Sequence, residues 1–315
     1  MGELKVLLVN ATFGGASGSG RHVKLLYDHL KNRVEFIVWH IGNIGYIDIP
    51  KMRSLTFYLR LKKKKIPEDV DIVHIHNPKF AGMIPSRRRK GYIITVHGGL
   101  EEFEYLYRSL GKIFIGYIEK NMKKADVITT VSPYTAKTKG WYYIPNMIAL
   151  KEIEEIEPSG ESHLLFVGRK SKVKGYHLFR AIADQLPELS PIALGIDKVV
   201  PWEEVIALMK SAYALVLPSE WEGFPSVILE AWACGCPVVC SDIPPLREIS
   251  ANALCLVPRT KEEFIKAIRR LVQDSALRER LIKKGLEEVR KYDAKNVVEQ
   301  YYDLYKKLKM EYASK

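Results

Sequence analysis

The sequence predicts an α/β protein made of two Rossmann-like domains, each with a parallel sheet covered by helices. Short apolar and β-branched runs alternate along the chain with longer segments of helical periodicity, which is typical of parallel sheets. Such runs lie on both sides of a charged, turn-rich stretch at residues 146–161. We therefore expect two sheets that face each other across a cleft.

The runs that predict strands in the first half are KVLLVN, EFIVWH, DIVHIHN, YIITVH and DVITTVS; those in the second half are LLFVG, IALG, YALVLPS and PVVCS. Residues 261–311 have helical periodicity throughout. The last of these helices has a stripe of apolar and aromatic positions, which predicts one packed side. The expected domains are residues 1–150 and 151–293, with residues 294–315 as a terminal helix.

Composition and charge limit the classes of partner. The chain has 315 residues and 47% hydrophobic content, which is enough for two packed cores. Residues 1–150 carry 24 Lys and Arg against 12 Asp and Glu, whereas residues 151–315 carry 25 of each. The net charge of +12 therefore arises in the first half, and it favours an anionic partner: nucleic acid, a membrane surface or a phosphorylated substrate.

Neither a signal peptide nor an apolar run of the ~20 residues that a spanning helix needs is visible, so the cytoplasm is the expected location. The cysteines do not form a disulfide framework. Cys234, Cys236 and Cys240 are expected to be core residues rather than zinc ligands. His74 and His76 are expected to point to opposite sides of a strand, which would exclude a metal site shared by these two.

The stretch PSEWEGFPSVILEAWACGCPVV, residues 218–239, places Glu222 and Glu230 on either side of a Gly-Phe-Pro-Ser turn. A buried strand is expected to end at Pro218, and a helix to follow over residues 225–235. The intervening loop would lie at the carboxyl edge of a parallel sheet, where α/β proteins bind ligands. Carboxylates at these two positions suit the hydroxyls of a sugar and of a ribose.

The start of that helix is a predicted anion site, formed by Phe224, Pro225, Ser226 and Val227. Its backbone N–H groups and dipole favour a diphosphate. The stretch LLFVGRKSKVKGYHLF adds Arg169 and Lys174 after another strand, and two cations there would neutralise a diphosphate leaving group. A sugar, a diphosphate and a ribose in series describe a nucleotide sugar.

The E-x7-E spacing and the following EAWACGCPVV resemble the signature of the retaining, metal-independent nucleotide-sugar glycosyltransferases of family GT4, which have the GT-B fold. The segments NATFGGASGSGRHV, DIVHIHNP and ITVHGG are similar to the same family. The likeness runs over nearly the whole chain and is densest over residues 161–258. The glycine run alone also partly resembles a dinucleotide-binding fingerprint.

The resemblance implies roles in the second half. Arg169 and Lys174 would hold the pyrophosphate of the donor, and Glu230 would bind its ribose. Glu222, with the backbone of residues 224–227, would bind hydroxyls of the transferred sugar.

In the first half the resemblance implies that His97 lies beside the donor sugar. Gly14 and Gly15 would let a loop approach phosphate and acceptor closely. The terminal helix would cross back onto the first domain.

The implied reaction passes through an oxocarbenium-like transition state, with positioning and leaving-group stabilisation by His97, Glu222, Arg169 and Lys174. The implied donor is UDP- or GDP-linked, the acceptor is a glycan or lipid-linked hydroxyl, and no metal or other cofactor is required. Two departures leave the nucleobase open. PNMIAL replaces the usual PNGVD, and the interval between IALG and VLPS is too short for a strand whose loop usually touches the base.

Other classes remain open from the residues alone. A non-catalytic subunit that binds nucleotide sugars or glycans would use the same pocket. A nucleic-acid-binding protein is disfavoured because no aromatic-basic module is present. A dinucleotide oxidoreductase is disfavoured because EFIVWH does not end in an acidic residue.

The basic runs at Arg60 to Lys65 and at Arg87 to Lys90 are either solvated surface or contacts to an anionic membrane. The first run follows the apolar residues of LTFYLR, which favours an interfacial segment. A peripheral position on the inner face of the membrane is therefore a second expectation for localisation.

Overall fold

The computed structural model describes residues 4–15, 17–49, 52–98, 113–196 and 200–314. The chain forms two compact units, one of Met1–Pro145 with Ala294–Lys315 and the other of Asn146–Asp293. It therefore leaves the first unit once and returns to it. The first unit ends at Pro145, slightly before the boundary expected at residue 150.

The first unit contains a six-stranded parallel sheet of order β2-β1-β3-β4-β5-β6. Its strands are β1 (Leu4–Val9), β2 (Val34–Trp39), β3 (Ile72–Ile75), β4 (Gly91–Val96), β5 (Val127–Thr130) and β6 (Tyr142–Tyr143). Its helices before the second unit are α1 (Gly18–Leu30), α2 (Ile41–Ile44), α3 (Arg53–Lys63), α4 (residues 113–122) and α5 (Pro133–Lys139). The inner strands β3 and β4 are buried along their whole length, which explains their continuous apolar sequences.

The second unit contains a five-stranded parallel sheet of order β11-β10-β9-β7-β8. Its strands are β7 (Leu164–Val167), β8 (Ile192–Leu194), β9 (Ala214–Leu217), β10 (Val238–Ser241) and β11 (Leu254–Val257). Its helices are α6 (Leu150–Glu154), α7 (Tyr176–Ala183), α8 (Trp202–Ser211), α9 (Ser226–Ala233), α10 (Pro244–Ile249), α11 (Lys261–Gln273) and α12 (Ser275–Val289).

The final helix, α13 (Ala294–Ala313), packs on the first unit against α1, β1, β3 and β4. Its buried face follows the predicted stripe and consists of Ala294, Val297, Val298, Tyr301, Leu304, Tyr305 and Leu308. Tyr302 lies beside this face, with its ring 3.8 Å from the Arg33 guanidinium. A Cβ on Gly91 would lie 2.7 Å from Ile72 Cδ1 and 3.2 Å from Leu308 Cβ, so only glycine lets α13 come this close to the sheet.

The prediction of two parallel sheets with flanking helices is confirmed, and all nine predicted runs are strands. The two outer strands β6 and β11 were not predicted. No strand lies between β8 and β9 in the described residues, from which 197–199 are missing.

Each sheet has one place where the chain reverses the direction in which it adds strands. In the first sheet β1 lies between β2 and β3, and in the second β7 lies between β8 and β9. Crevices at the carboxyl ends of such strand pairs are the usual ligand sites of open α/β sheets. The loops after β1 and β3, and those after β7 and β9, are therefore the places to look for a functional site.

Candidate functional site

The loops after β7 and β9 bring Lys174 and Glu222 together. The Lys174 ammonium lies 2.7 Å from Glu222 Oε2, and the Ser219 hydroxyl donates to Glu222 Oε1 at 2.7 Å. The Glu222 side chain is only 3% exposed, whereas that of Lys174 is 24% exposed. A buried carboxylate is thus held by one cation and one hydroxyl, with the cation on the solvent side. Ser219 belongs to none of the predicted site residues, although it lies only three residues before Glu222.

Backbone contacts fix the two loops against each other. Gly175 begins α7 with φ +71°, and a Cβ there would lie 2.0 Å from the Pro218 carbonyl oxygen. The Glu220 N–H donates to the Val173 carbonyl at 2.8 Å. Arg259 donates to the Pro218 carbonyl at 3.0 Å and pairs with Glu220 at 3.3 Å. The position of Lys174 next to Glu222 therefore depends on a glycine at 175.

Arg169 lies in the same turn-rich loop as Lys174 but has an exposed side chain. Its carbonyl accepts from the Ser171 N–H at 2.8 Å, and the Ser171 hydroxyl accepts from the Lys174 N–H at 3.2 Å. The structure therefore brings Lys174 onto Glu222 and leaves Arg169 at the surface of the loop.

Glu230 is buried in α9, and its Oε1 accepts a hydrogen bond from the Trp202 indole N–H at 3.0 Å. Trp202 is the first residue of α8. This bond sets the direction of the carboxylate at the position predicted to bind a ribose. Trp202 is not predictable from the sequence, because a contact between neighbouring helices leaves no signal in local spacing.

Two contacts of Phe224 fix the start of α9. The buried Asn146 amide donates to the Phe224 carbonyl at 2.6 Å, and the Phe224 ring packs edge-on against Tyr292. The helix begins after Pro225, and no described side chain caps it. The N–H groups of Ser226 and Val227 lie in this first turn, as predicted for an anion site.

In the first unit the glycine run forms a tight connection between β1 and α1. Gly14 and Gly15 both have φ +71°, a conformation that glycine adopts without strain. The Gly14 N–H donates to the Gly20 carbonyl at 2.8 Å. The exposed Gly15 has no heavy atom within 4 Å of an added Cβ, so this point of the loop is open.

His97 follows β4, is half-buried and belongs to a group of three histidines that we call the histidine cluster: His22, His76 and His97. His76 Nδ1 lies 3.1 Å from His97 Nε2, and the rings of His22 and His97 are 4.6 Å apart. His22 Nε2 lies 3.2 Å from the Tyr301 hydroxyl of α13. Burial lowers the pKa of His76 well below its ordinary value, and the neighbouring histidines add to the effect.

The expectation that His74 and His76 point to opposite sides of a strand is wrong. Their ring centroids are 3.9 Å apart, because residues two positions apart on a strand share a face. His74 Nδ1 lies 2.6 Å from the Tyr305 hydroxyl, and Nε2 lies 2.7 Å from the Thr95 hydroxyl. His74 is therefore a satisfied core residue, but the geometry does not exclude a metal at His76.

The cysteines are free and lie partly or wholly in the core. Burial raises the pKa of Cys236 to about 12, so its thiol stays protonated. Among the described residues the histidine cluster is the one group with metal-ligand spacing, and no cysteine belongs to it. None of the described helices combines the length and the apolar character that crossing a membrane requires.

Two family profiles match the chain. The profile described as Glycosyl transferases group 1 matches residues 198–288, and the profile described as Glycosyltransferase Family 4 matches residues 16–139. The first match contains Glu222 and Glu230, and the second contains the histidine cluster. Together the matches reach both units.

Two curated relatives match shorter segments. The O-antigen chain mannosyltransferase B of Escherichia coli is 36% identical over 110 residues, which are 35% of this chain and 29% of that protein. The N,N'-diacetylbacillosaminyl-diphospho-undecaprenol alpha-1,3-N-acetylgalactosaminyltransferase of Campylobacter jejuni is 32% identical over 105 residues, or 32% of this chain and 28% of that protein. The chain thus spans less than a third of the length of these relatives.

Solved structures match along the whole chain. The sucrose-phosphate synthase of Thermosynechococcus elongatus has a TM-score of 0.77 at 19% identity, over 97% of this chain and 99% of that one. Alr3699/HepE of Anabaena, in complex with UDP-glucose, has a TM-score of 0.73 at 14% identity. That match covers 97% of this chain and 100% of the other. At these identities the likeness shows the fold. With the two family profiles, it supports a glycosyltransferase of the GT4 type with the GT-B fold.

Proposed function

We propose that the chain is a retaining, metal-independent glycosyltransferase. It transfers a sugar from a UDP- or GDP-linked donor to a hydroxyl of a glycan or lipid-linked acceptor. The observation that carries the proposal is the contact of Glu222 with Lys174 and with Ser219 at the carboxyl ends of β7 and β9, beside the start of α9.

The donor diphosphate is proposed to bind between the loop 168–175 and the first turn of α9. Lys174 pairs with the buried Glu222 carboxylate and is itself partly exposed to solvent. Arg169 on the same loop supplies a second cation. The N–H groups of Ser226 and Val227 add partial positive charge. These groups stabilise the charge that develops on the leaving diphosphate, which is the role of preorganised donors in transfer reactions.

The nucleoside is proposed to bind at Glu230. The bond from Trp202 fixes one carboxylate oxygen, so the group is oriented before a ribose diol arrives. Alr3699/HepE, which shares this fold, binds UDP-glucose and supports a nucleotide-sugar donor. The nucleobase stays open between uracil and guanine.

In the transfer step the anomeric carbon–phosphate oxygen bond breaks and a bond to the acceptor oxygen forms on the same face of the sugar. The acceptor proton passes to the departing phosphate oxygen, so the charge balances. We propose that Glu222 and His97 bind hydroxyls of the transferred sugar, and that Gly14 and Gly15 border the acceptor. The relative that acts on a diphospho-undecaprenol substrate supports a lipid-linked acceptor.

The test is nucleotide release from UDP- and GDP-sugars, with and without acceptor, and the anomeric configuration of the product read by NMR. We expect Lys174→Ala and Arg169→Ala each to lower turnover by about 100-fold or more, as for the loss of one charge-stabilising donor. Lys172→Ala removes an exposed lysine of the same loop and serves as the matched control. Donor binding without release or transfer would favour the non-catalytic binding subunit instead.

Lys174→Ala also leaves Glu222 buried without its cation, which is itself destabilising. The double variant Lys174→Ala/Glu222→Gln removes that buried charge. We expect its melting temperature to recover toward wild type while turnover stays low. Wild-type turnover in Lys174→Ala, or recovery of turnover in the double variant, would contradict the assigned role.

We also propose that the first unit docks on an anionic membrane through a patch of exposed apolar side chains on and next to α3 and α4. The apolar patch consists of Ile47, Ile49, Met52, Leu55, Leu59, Ile113, Phe114 and Tyr117. The hydroxyls of Tyr58 and Tyr117, 3.1 Å apart, join the two helices. Arg60, Lys62 and Lys63 lie in the last turn of α3, so apolar and cationic groups lie side by side.

The two basic runs differ in their availability for such docking. In the run 60–65, Lys65 pairs with Glu68 at 2.6 Å. In the run 87–90, Arg88 pairs with Asp126 at 2.5 Å, and Lys90 donates to the Pro67 carbonyl at 2.5 Å. The proposed membrane contact therefore centres on α3 rather than on the run 87–90.

Co-sedimentation with vesicles tests the docking. We expect binding to vesicles that contain phosphatidylserine, weaker binding to pure phosphatidylcholine, and a loss at high salt. The double substitution Leu55→Glu/Leu59→Glu should abolish vesicle binding. Val272→Glu on α11 is the control and should leave binding unchanged, because Val272 is 42% exposed and thus matches Leu55 at 43%. Binding that ignores lipid charge, or that survives the double substitution, would contradict the proposal.

A further inference from the structure

We propose that the histidine cluster of the first unit, His22, His76 and His97, is a binding site for a first-row divalent metal such as Zn²⁺ or Co²⁺. Each histidine offers one ring nitrogen, and these three nitrogens lie within 4.8 Å of one another. The elements that supply them are α1 and the ends of the neighbouring strands β3 and β4. The site lies within one unit and does not require a donor sugar.

The chemistry of the ligands selects the metal. Three neutral imidazoles suit Zn²⁺, Co²⁺, Ni²⁺ or Cu²⁺, whereas Mg²⁺ and Ca²⁺ require oxygen ligands. Among the described residues no carboxylate belongs to the cluster. Zn–N distances of about 2.0–2.1 Å place tetrahedral nitrogens roughly 3.3 Å apart, so the widest pair would approach by at most ~1.5 Å. His76 Nδ1 and His97 Nε2, at 3.1 Å, are already at a suitable separation.

The surroundings of the cluster fit a metal site in one further way. His22 contacts the Tyr301 hydroxyl through Nε2 at 3.2 Å, as metal-ligating histidines usually bind a second group through the other ring nitrogen. His22 would therefore bind the metal through Nδ1, and the Tyr301 hydroxyl would fix the orientation of its ring.

Three histidine ligands would leave the fourth position of a tetrahedral metal to an exchangeable ligand. His22 and His76 are buried, whereas His97 is half-buried, so we infer that a further ligand approaches the cluster at His97. Three protein ligands with one exchangeable position are typical of zinc sites that bind a further ligand. Because the imidazoles are neutral, the bound ion keeps its full charge and would attract an anion.

The site has a consequence for the proposed function, although it does not depend on it. A metal at His97 would remove this side chain from the donor sugar. We therefore expect Zn²⁺ to inhibit transfer and a chelator to restore it. The binding experiment below needs neither donor nor acceptor, so the two proposals succeed or fail separately.

Titration of the chelator-treated, desalted chain with Co²⁺ tests the site by visible absorption and calorimetry. We expect one Co²⁺ per chain with the intense absorption of a tetrahedral complex, displaced by Zn²⁺. His76→Ala and His97→Asn should each abolish the band, and Tyr301→Phe should weaken binding about 10-fold or more. His177→Ala, at an exposed histidine of α7, is the control and should leave the titration unchanged.

Circular dichroism of each variant shows whether it is folded. If His76→Ala does not fold, His97→Asn decides the matter, because His97 is half-buried at the end of a strand. Absence of a Co²⁺ band and of binding heat in the wild-type chain would overturn the proposal. Binding that persists in folded His97→Asn would overturn it too.

Discussion

At the scale of single residues, Glu222 shows how the second unit accommodates a buried charge. Its side chain is 3% exposed, and a carboxylate in such a place is stable only if each oxygen has a partner. Ser219 takes one oxygen and Lys174 the other. Lys174 is thereby held in place before any ligand arrives, so little of its side-chain entropy remains to be lost on binding.

Trp202 orients the Glu230 carboxylate by a hydrogen bond, and the effect of removing this bond can be predicted. Trp202→Phe keeps the aromatic ring but removes the N–H that donates to the carboxylate. Hydrogen bonds to charged groups contribute about 1.5–3 kcal/mol, so we expect the donor KM to rise about 10-fold or more with kcat nearly unchanged. Steady-state kinetics with a nucleotide sugar measure this. Trp141→Phe, in the first unit, is the control, and an equal effect there would contradict the assignment.

At the scale of elements, the loop between β7 and α7 depends on the conformation of one residue. Gly175 combines φ +71° with a Cβ position 2.0 Å from the Pro218 carbonyl. Any side chain there must push the loops of Lys174 and Glu222 apart. The carboxyl ends of β7 and β9 can therefore meet only with glycine at this point.

Gly175→Ala should lower the free energy of unfolding by about 1–2 kcal/mol through the strain of a left-handed residue. The Pro218 backbone must also move, which lowers it further. We expect a melting temperature lower by several degrees and a fall in donor affinity. Gly235→Ala is the matched control, because Gly235 has φ +64° but only an ordinary contact, at 3.6 Å, for an added Cβ. Equal losses in the two variants would show that the contact with Pro218 is unimportant.

The elements also show what sequence can and cannot predict. The inner strands were predicted because both their faces are buried and their sequences are continuously apolar. β6 was missed because it has two residues, and β11 because LCLV has few β-branched residues. Motifs identified Lys174 and Glu222 singly but did not predict the ion pair between them, and Trp202 and Tyr301 reach the candidate sites only through tertiary packing. The error at His74 and His76 came from a misapplied strand period.

At the scale of the whole molecule, the two units differ in how the chain builds them. The second unit is one continuous segment, Asn146–Asp293, whereas the first is completed by Ala294–Lys315. α13 contributes Tyr301 and Tyr305 to the core beside His22 and His74. Lys309 of the same helix pairs with Asp71 at 2.9 Å. The first unit is therefore incomplete without the last helix.

This difference predicts the behaviour of fragments. The fragment 146–293 should fold alone and bind the nucleotide part of the donor, because it contains Lys174, Glu222 and Glu230 with their partners. The fragment 1–145 should be unfolded or aggregated, and adding a peptide of residues 294–315 should restore its structure. Circular dichroism and calorimetry with UDP and GDP measure both. A stably folded fragment 1–145 would show that α13 is dispensable.

The same topology sets the order of events during synthesis. Domains usually fold from the N-terminus onward while translation proceeds at about 5–20 residues per second. Here residues 146–315 must still be translated after the last strand of the first sheet has been synthesised, which takes roughly 9–34 s at that rate. During this interval the apolar surface that α13 will cover is exposed, and chaperones have their longest opportunity to bind the nascent chain there.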